Sequence, residues 1–281
     1  LTFDNKEIAH MAFQRWQIGL DIQNRHLCAL GIERRRHGWQ LRHWWQQALP
    51  HDTLRNGVLQ SSPLLQEMLA AWRRQLPAQF SLRIGLPPQL VLQRTLPLPG
   101  TTLREPALNR YVTAAARNLF PMETALLAFD YQCDAAANTL QVTAARRDVM
   151  AQWLQPLQQA GLEPDIFELS TQALMQVAQQ LPLALHTLLI HTTGDHAFWA
   201  FNDGALRCGA VAGTLNADII AQLFPQVSDQ LCTSTSAPTA RQAKLCLPLS
   251  LLRYQQPPLP AQQGDFTLAL GLALRPGDSA C

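Results

Sequence analysis

Along the chain, short apolar runs with strand-like patterning come in threes, and each trio is followed by a helix-spaced run. The first trio is Trp16 to Ile22 (W-Q-I-G-L-D-I), Leu27 to Ile32 (L-C-A-L-G-I) and Trp39 to Trp45. The polar loops Gln23, Asn24, Arg25 and Arg34 to Gly38 separate them. Apolar bursts of this length bounded by polar clusters predict strands. A helix is expected from about Ser62 to Leu76, because Leu65, Met68, Leu69, Trp72 and Leu76 recur on one face. The second trio is Thr187 to His191, Ala197 to Phe201 and Ala205 to Val211. Thr192 to Asp195 forms its first loop, and Asn202-Asp203-Gly204 is a strong hairpin turn. Gly213 marks a break, and Asn216 is placed to cap a helix running to Phe224 with Ile219, Ile220 and Leu223 on its apolar face.

The stretch between the trios reads differently. Phe80 to Leu86 and Val91 to Leu96 are expected as strands around a Pro87-Pro88 turn, the second closed by Pro97 and Pro99. A helix from about Arg104 to Leu119 carries Leu108, Tyr111, Val112, Ala115 and Leu119 as its stripe and stops at Pro121. Leu126 to Tyr131 and Thr139 to Ala144 follow as strands. The next helix, Arg147 to Ala160, contains Pro156, which is expected to kink it, and is followed by Gly161, suited to a left-handed stop. This β-β-α-β-β-α order describes a small α+β module whose sheet is covered on one face by two helices. Ser170 to Leu181 is one more amphipathic helix. Residues 225–263 carry weak signals: Thr233 to Thr239 and Gln255 to Gln263 read as loops, with Pro257 to Pro260 as linker rather than partner motif. Gly264 to Leu274 reads as a buried terminal helix in which Gly271 permits close packing, against a helix-propensity loss of ~1 kcal/mol.

Three meandering strands and then a helix, used twice, is the layout of an α/β, two-lobed actin-like (ribonuclease H-like) fold with the small α+β module inserted in its first lobe. On this reading residues 1–11 are an extension, 12–78 the first part of the first lobe, 79–162 the inserted module and 163–183 the rest of that lobe. A reduced second lobe spans 184–263, and 264–281 hold a helix returning to the first lobe, with a tail. Residues 1–10, just before Met11, are read as an upstream extension or a start-site artefact.

Composition narrows the class. The 281 residues are 47% apolar and 15% charged, which is globular rather than disordered. A net charge of +2 gives no general reason to bind nucleic acid, and Arg34, Arg35 and Arg36 read as a solvated turn. No apolar run reaches the ~18 residues that span a bilayer; Leu181 to Ile190 is interrupted by Pro182 and His186. The first ten residues carry Asp4, Lys6 and Glu7 and no apolar core of a secretory signal. Cys28, Cys133, Cys208, Cys232, Cys246 and Cys281 are scattered with no C-x-x-C pair, so a metal site is not expected and a reducing cytosol fits.

Several segments, taken in order, resemble one family. Gln17-Ile18-Gly19-Leu20-Asp21-Ile22 is similar to the first phosphate-loop strand of PilM-type proteins, relatives of actin and FtsA. Ile84 to Pro99 resembles their strand pair with its proline-rich stop. Leu119-Phe120-Pro121-Met122-Glu123 with Phe129-Asp130-Tyr131 resembles their helix end and following strand. Val142 to Ala145 with Ala160-Gly161-Leu162, and the ending Gly271-Leu272-Ala273-Leu274, complete the series over about residues 12–275. The shortened second lobe and the Gly264-Asp265-Phe266 ending after a proline-rich loop are most similar to the HofM branch, linked to competence and DNA utilisation. The resemblance implies a cytoplasmic scaffold, peripheral at the inner membrane, in a type IV pilus or DNA-uptake apparatus. It implies a partner, a PilN- or HofN-like single-pass inner-membrane protein whose N-terminal cytoplasmic peptide sits between the first lobe and the module. Self-association is a further option.

The same resemblance raises ATP and Mg²⁺. Actin-like ATPases hold phosphate on two hairpin loops, where backbone N–H groups donate and an aspartate organises the metal. The family's loop is Asp-x-Gly. Here the first keeps Asp21 but has Gln23 at the glycine position. The second reads His191-Thr192-Thr193-Gly194-Asp195: histidine replaces aspartate and Gly194 comes one place late, with Asp195 as the only compensation. Gly213 is retained near the connecting position, and no adenosine-side Gly-Gly is visible in Leu231 to Ala240. Asp21, Gln23, Gly194, Asp195 and Gly213 are therefore vestigial phosphate-loop positions; no catalytic residue and no bound cofactor are expected. His191 reads equally as a core or strand-end histidine, and Glu163, Asp165 and Glu168 as solvated. The rivals are an active ATPase or sugar-kinase relative binding ATP and Mg²⁺ between the lobes, and a DNA-binding competence protein, which the charge disfavours.

Overall fold

A computed structural model describes residues 15–49, 52–99, 106–120, 122–134, 138–234 and 243–277. The expected extension at residues 1–11 and most of the loop Thr233 to Thr239 lie outside the described residues. Strands β1 (Trp16–Ile22), β2 (His26–Arg35) and β3 (Gly38–Ala48) form an antiparallel meander. A two-stranded turn, β4 (Leu54–Arg55) and β5 (Val58–Leu59), precedes helix α1 (Pro63–Arg73). β6 (Phe80–Leu86) then returns parallel to β1. Beyond it lie β7 (Val91–Pro97), α2 (Ala107–Leu119), β8 (Leu127–Asp134), β9 (Thr139–Arg146) and α3 (Arg147–Gln159). β10 (Ile166–Leu169) pairs with β6, and α4 (Ser170–Gln180) leads to the second lobe. There β11 (Thr187–Thr192), β12 (His196–Asn202) and β13 (Leu206–Ala212) repeat the meander. Helix α5 (Ala217–Leu223) and strands β14 (Asp229–Cys232) and β15 (Lys244–Leu245) complete that lobe, and α6 (Thr267–Leu274) ends the described chain.

The two large sheets have the same strand order: β3-β2-β1-β6-β10 and β13-β12-β11-β14-β15. In each, a meander supplies three antiparallel strands and two more join in parallel. This is the duplicated actin-like arrangement. The first sheet is apolar on both faces, as a sheet covered on both sides must be. Ile18, Leu20 and Ile22 pack with α1 and α3. Cys28, Leu30 and Ile32 pack with α4, α6 and, from the second sheet, Leu189, Phe198 and Ala200. Helix α6 is buried at every position, and its apolar residues run all round it, the pattern of a helix enclosed by protein. It fits because two glycines remove side chains. A Cβ on Gly19 would lie 2.0 Å from the Ala269 carbonyl oxygen, and one on Gly271 1.9 Å from that of Ala173. Arg83 donates to the Ala273 carbonyl at 3.0 Å and Arg275 to Glu168 at 2.6 Å, fixing the helix end.

Several boundaries differ from the reading of the sequence. Phe80–Leu86 belongs to the first large sheet, not to the inserted module, because it pairs with β1 and β10. Helix α3 packs on the first lobe, with Trp153 and Leu157 in the core that holds Leu65, Leu69 and Trp72. Among the described residues, the three-stranded sheet β7-β9-β8 is therefore backed by α2, through Leu108, Val112 and Ala116, and not by α3. α3 runs on through Pro156 to Gln159, and Gly161 takes φ +73°, as its position after the helix requires. Glu168 and Asp165 are structural rather than merely solvated: Glu168 pairs with Arg275, and Asp165 accepts from the Leu82 N–H at 2.9 Å. The proline stretch Pro257 to Pro260 belongs to a strap along the outer edge of β3. Tyr254 exchanges backbone bonds with Trp39 and Leu41, and Trp44 Nε1 donates to the Pro258 carbonyl at 2.9 Å. An edge covered in this way cannot recruit another strand.

Candidate functional site

The hairpin loops β1–β2 and β11–β12 are built alike. The Gln23 N–H donates to the His26 carbonyl at 3.0 Å, and the Thr193 N–H to the His196 carbonyl at 2.8 Å. Asp21 is opposite Cys28, and His191 is opposite Phe198. Asp21 therefore corresponds to His191, Gln23 to Thr193, and His26 to His196. Gly194 stands one residue beyond the position matching Gln23; a Cβ there would meet nothing within 4 Å.

Both loops open onto one cleft of about 430 Å³. That lies within the roughly 300–1,000 Å³ of small-molecule sites, so size does not exclude a nucleotide. Asp21, Gln23 and Asp195 all line it; Gly194 lies between Thr193 and Asp195, and the Gly213 N–H donates to the Asp195 carbonyl at 2.8 Å. Gly213 takes φ +75° in open space, so the turn itself calls for glycine. The structure thus gathers all five of these positions at one place. Its lining residues include the carboxylates Asp21 and Asp195 and no lysine or arginine.

Asp21 is 3% exposed, and Gln23 Nε2 donates to its Oδ2 at 2.7 Å. Burial pushes its pKa up, opposed by the Gln23 amide and by the positive field of His26. Gln23 Oε1 is buried without a hydrogen-bond partner. In the second lobe His191 is 1% exposed, its Nδ1 lies 2.8 Å from Thr233 Oγ1, and its Nε2 is buried without a partner. Burial lowers its pKa to about 3, so the ring is neutral. Four further residues of the site escaped the sequence reading. Asn24 Oδ1 accepts from the Leu54 N–H at 3.1 Å, tying the first loop to the β4–β5 turn. Asn56 and Gly57 bring that turn to the cleft, and Gln89 lines it after the Pro87-Pro88 turn. The Asn-Gly pair with Leu54 and Val58 beside it was the available signal for that hairpin.

Two sheets of repeated order around an inter-lobe cleft define an actin-like two-lobed protein. The chain belongs to the family of the type IV pilus assembly protein PilM, whose model matches residues 19–192. It is 28% identical over 265 residues to the DNA utilization protein HofM of Escherichia coli (strain K12), across 94% of this chain and 98% of that one. Its fold is similar to a chain of the PilM-PilN type IV pilus biogenesis complex, with TM-score 0.68 and 16% identity, covering 92% of this chain and 97% of that chain. It is also similar to the cytoplasmic domain of EpsL, an inner membrane component of the type II secretion system of Vibrio cholerae, with TM-score 0.50, 12% identity and 90% and 94% coverage. Among the described residues no helix is long and apolar enough to cross a membrane.

Proposed function

We propose that this member of the PilM family is a cytoplasmic scaffold of a type IV pilus or DNA-uptake apparatus. It binds the N-terminal cytoplasmic peptide of a PilN- or HofN-like single-pass inner-membrane protein and does not turn over ATP. One observation carries the second clause: the position that mirrors Asp21 is His191, neutral, buried and closed off on Thr233. A triphosphate with Mg²⁺ needs N–H donors, cations and a carboxylate able to face the metal's water shell. Here Gln23 fills the glycine position and its amide occupies Asp21, while among the described residues no lysine or arginine lines the cleft. These residues do not fit the group.

The near full-length match to HofM supports the apparatus, and the fold shared with a chain of the PilM-PilN complex supports the partner class. The face of β7-β9-β8 away from α2 suits peptide recognition. It carries the cross-strand pairs Gln93–Thr143 and Thr95–Gln141, each at 3.2 Å, as hydrogen-bonding groups that carry no charge. The rival, an active ATPase, draws on Asp195, which shares the cleft with Asp21.

Fluorescence anisotropy with a labelled synthetic peptide, the cytoplasmic N-terminus of the candidate partner, tests the reading. Saturable binding that Mg²⁺-ATP leaves unchanged is expected. Failure of folded protein to bind would remove the partner assignment, and Mg²⁺-dependent phosphate release would establish the rival.

A further inference from the structure

The β2–β3 hairpin ends in Arg34-Arg35-Arg36-His37, all exposed. β2 starts at His26 beside the cleft and runs ten residues away from it, so the tip lies roughly 30 Å from the site described above. A second segment adds to it. Arg253, on the strap, donates from Nη1 to the His37 carbonyl at 3.1 Å, and its Cβ would be 3.0 Å from a Cβ on Gly38. Among the described residues, the carboxylate paired with these arginines is Glu33, which is buried and shared by Arg35 at 3.1 Å and Arg42 at 3.4 Å. Arg34, Arg36 and Arg253 have no ion pair among the described residues. Two aromatic rings lie within the patch: the Arg34 guanidinium stands 5.1 Å from the Trp39 ring, and that of Arg253 5.9 Å from Tyr254, which is 37% exposed.

We propose that this arginine-rich tip is a docking surface for an anionic phospholipid bilayer. Arginine forks match phosphate oxygens, and indole and phenol rings with one apolar and one polar end settle at the headgroup level. Clusters of about 4–8 lysines and arginines suffice to hold a protein segment at an acidic leaflet. Nucleic acid is the poorer match. A protein making roughly 6–10 phosphate contacts holds a duplex firmly, more than the four arginines Arg34, Arg35, Arg36 and Arg253 of a convex tip offer. The surface also lies away from the cleft and needs no nucleotide there. It is independent of the peptide reading, although a weak lipid contact would add to attachment through a membrane partner, as two linked weak contacts do.

Flotation of the purified full chain tests it, with vesicles of phosphatidylcholine alone or mixed with phosphatidylglycerol. The chain should float with the mixed vesicles at low salt, stay behind with phosphatidylcholine, and lose binding at high salt as screening shortens the field. The double substitution Arg34→Glu, Arg36→Glu should lower flotation by about tenfold or more. Arg110→Glu with Arg117→Glu, which changes net charge equally on exposed positions of α2, should leave it unaltered. Absence of flotation of the native chain, equal loss with the α2 pair, or tip-dependent capture of duplex DNA in place of the vesicles would each overturn the proposal. Unchanged peptide binding by the tip variant separates this outcome from failure of the scaffold reading.

Discussion

His191 mirrors Asp21 in the second sheet, and its surroundings oppose a charge. Its folded pKa of about 3 lies below the ordinary 6.5, so between these limits the unfolded chain binds more protons than the folded one. The associated stability is fully present above pH 6.5 and is lost as pH falls towards 3. At ~1.4 kcal/mol per unit the full loss is on the order of 5 kcal/mol. Comparing urea unfolding of the native chain and His191→Asn across that range should show a much flatter acid limb in the variant. Asp21 acts with the opposite sign: burial raises its pKa, so its contribution is present below the ordinary carboxylate value and is lost as pH rises through the folded one. Asp21→Asn should therefore raise the melting temperature at neutral pH. Asp21, Gln23 and Asp195 were legible because a hairpin loop is local. The closure of His191 by Thr233 was not, since a contact across 42 residues depends on how β14 lies beside β11.

At the scale of elements, the enclosed helix α6 organises the lobes, and its fit is set by backbone approaching backbone. Gly271→Ala would place a methyl carbon 1.9 Å from the Ala173 carbonyl oxygen, so α4 and α6 must move apart. Overpacking of this kind destabilises by about 1–3 kcal/mol, readable as a lowered urea midpoint. Helix α1 begins at a real cap, Ser62 Oγ accepting from the Leu65 N–H at 3.2 Å. Ser62→Ala should lower stability by about 1 kcal/mol in the same assay. Apolar spacing gave α1, α2 and α3 to within a few residues, because their stripes are long. It did not say which body α3 packs on. That choice rests on Trp153 fitting beside Trp72, with its Nε1 bonded to the Gly57 carbonyl at 3.2 Å. β14 and β15 were hidden for another reason: strands of four and two residues carry too few positions for a period to show.

At the scale of the whole molecule, a duplicated sheet frames one inter-lobe cleft, whose described lining carries the carboxylates Asp21 and Asp195 and no lysine or arginine. The repeat of strands and helix was legible because both halves use the same order of elements. The chemistry of the cleft was legible only as departures from a loop pattern, and its lining from β4–β5 and Gln89 required the fold. On the proposed function, this cleft does not hold Mg²⁺-ATP. A ligand that binds only the folded state stabilises it by about 2.7 kcal/mol when present at a hundred times its Kd. The most direct measurement is the melting temperature of the purified chain as Mg²⁺-ATP is raised, with ATP and excess chelator as the control. The two curves should coincide at every concentration; a saturable, Mg²⁺-dependent rise would contradict the account.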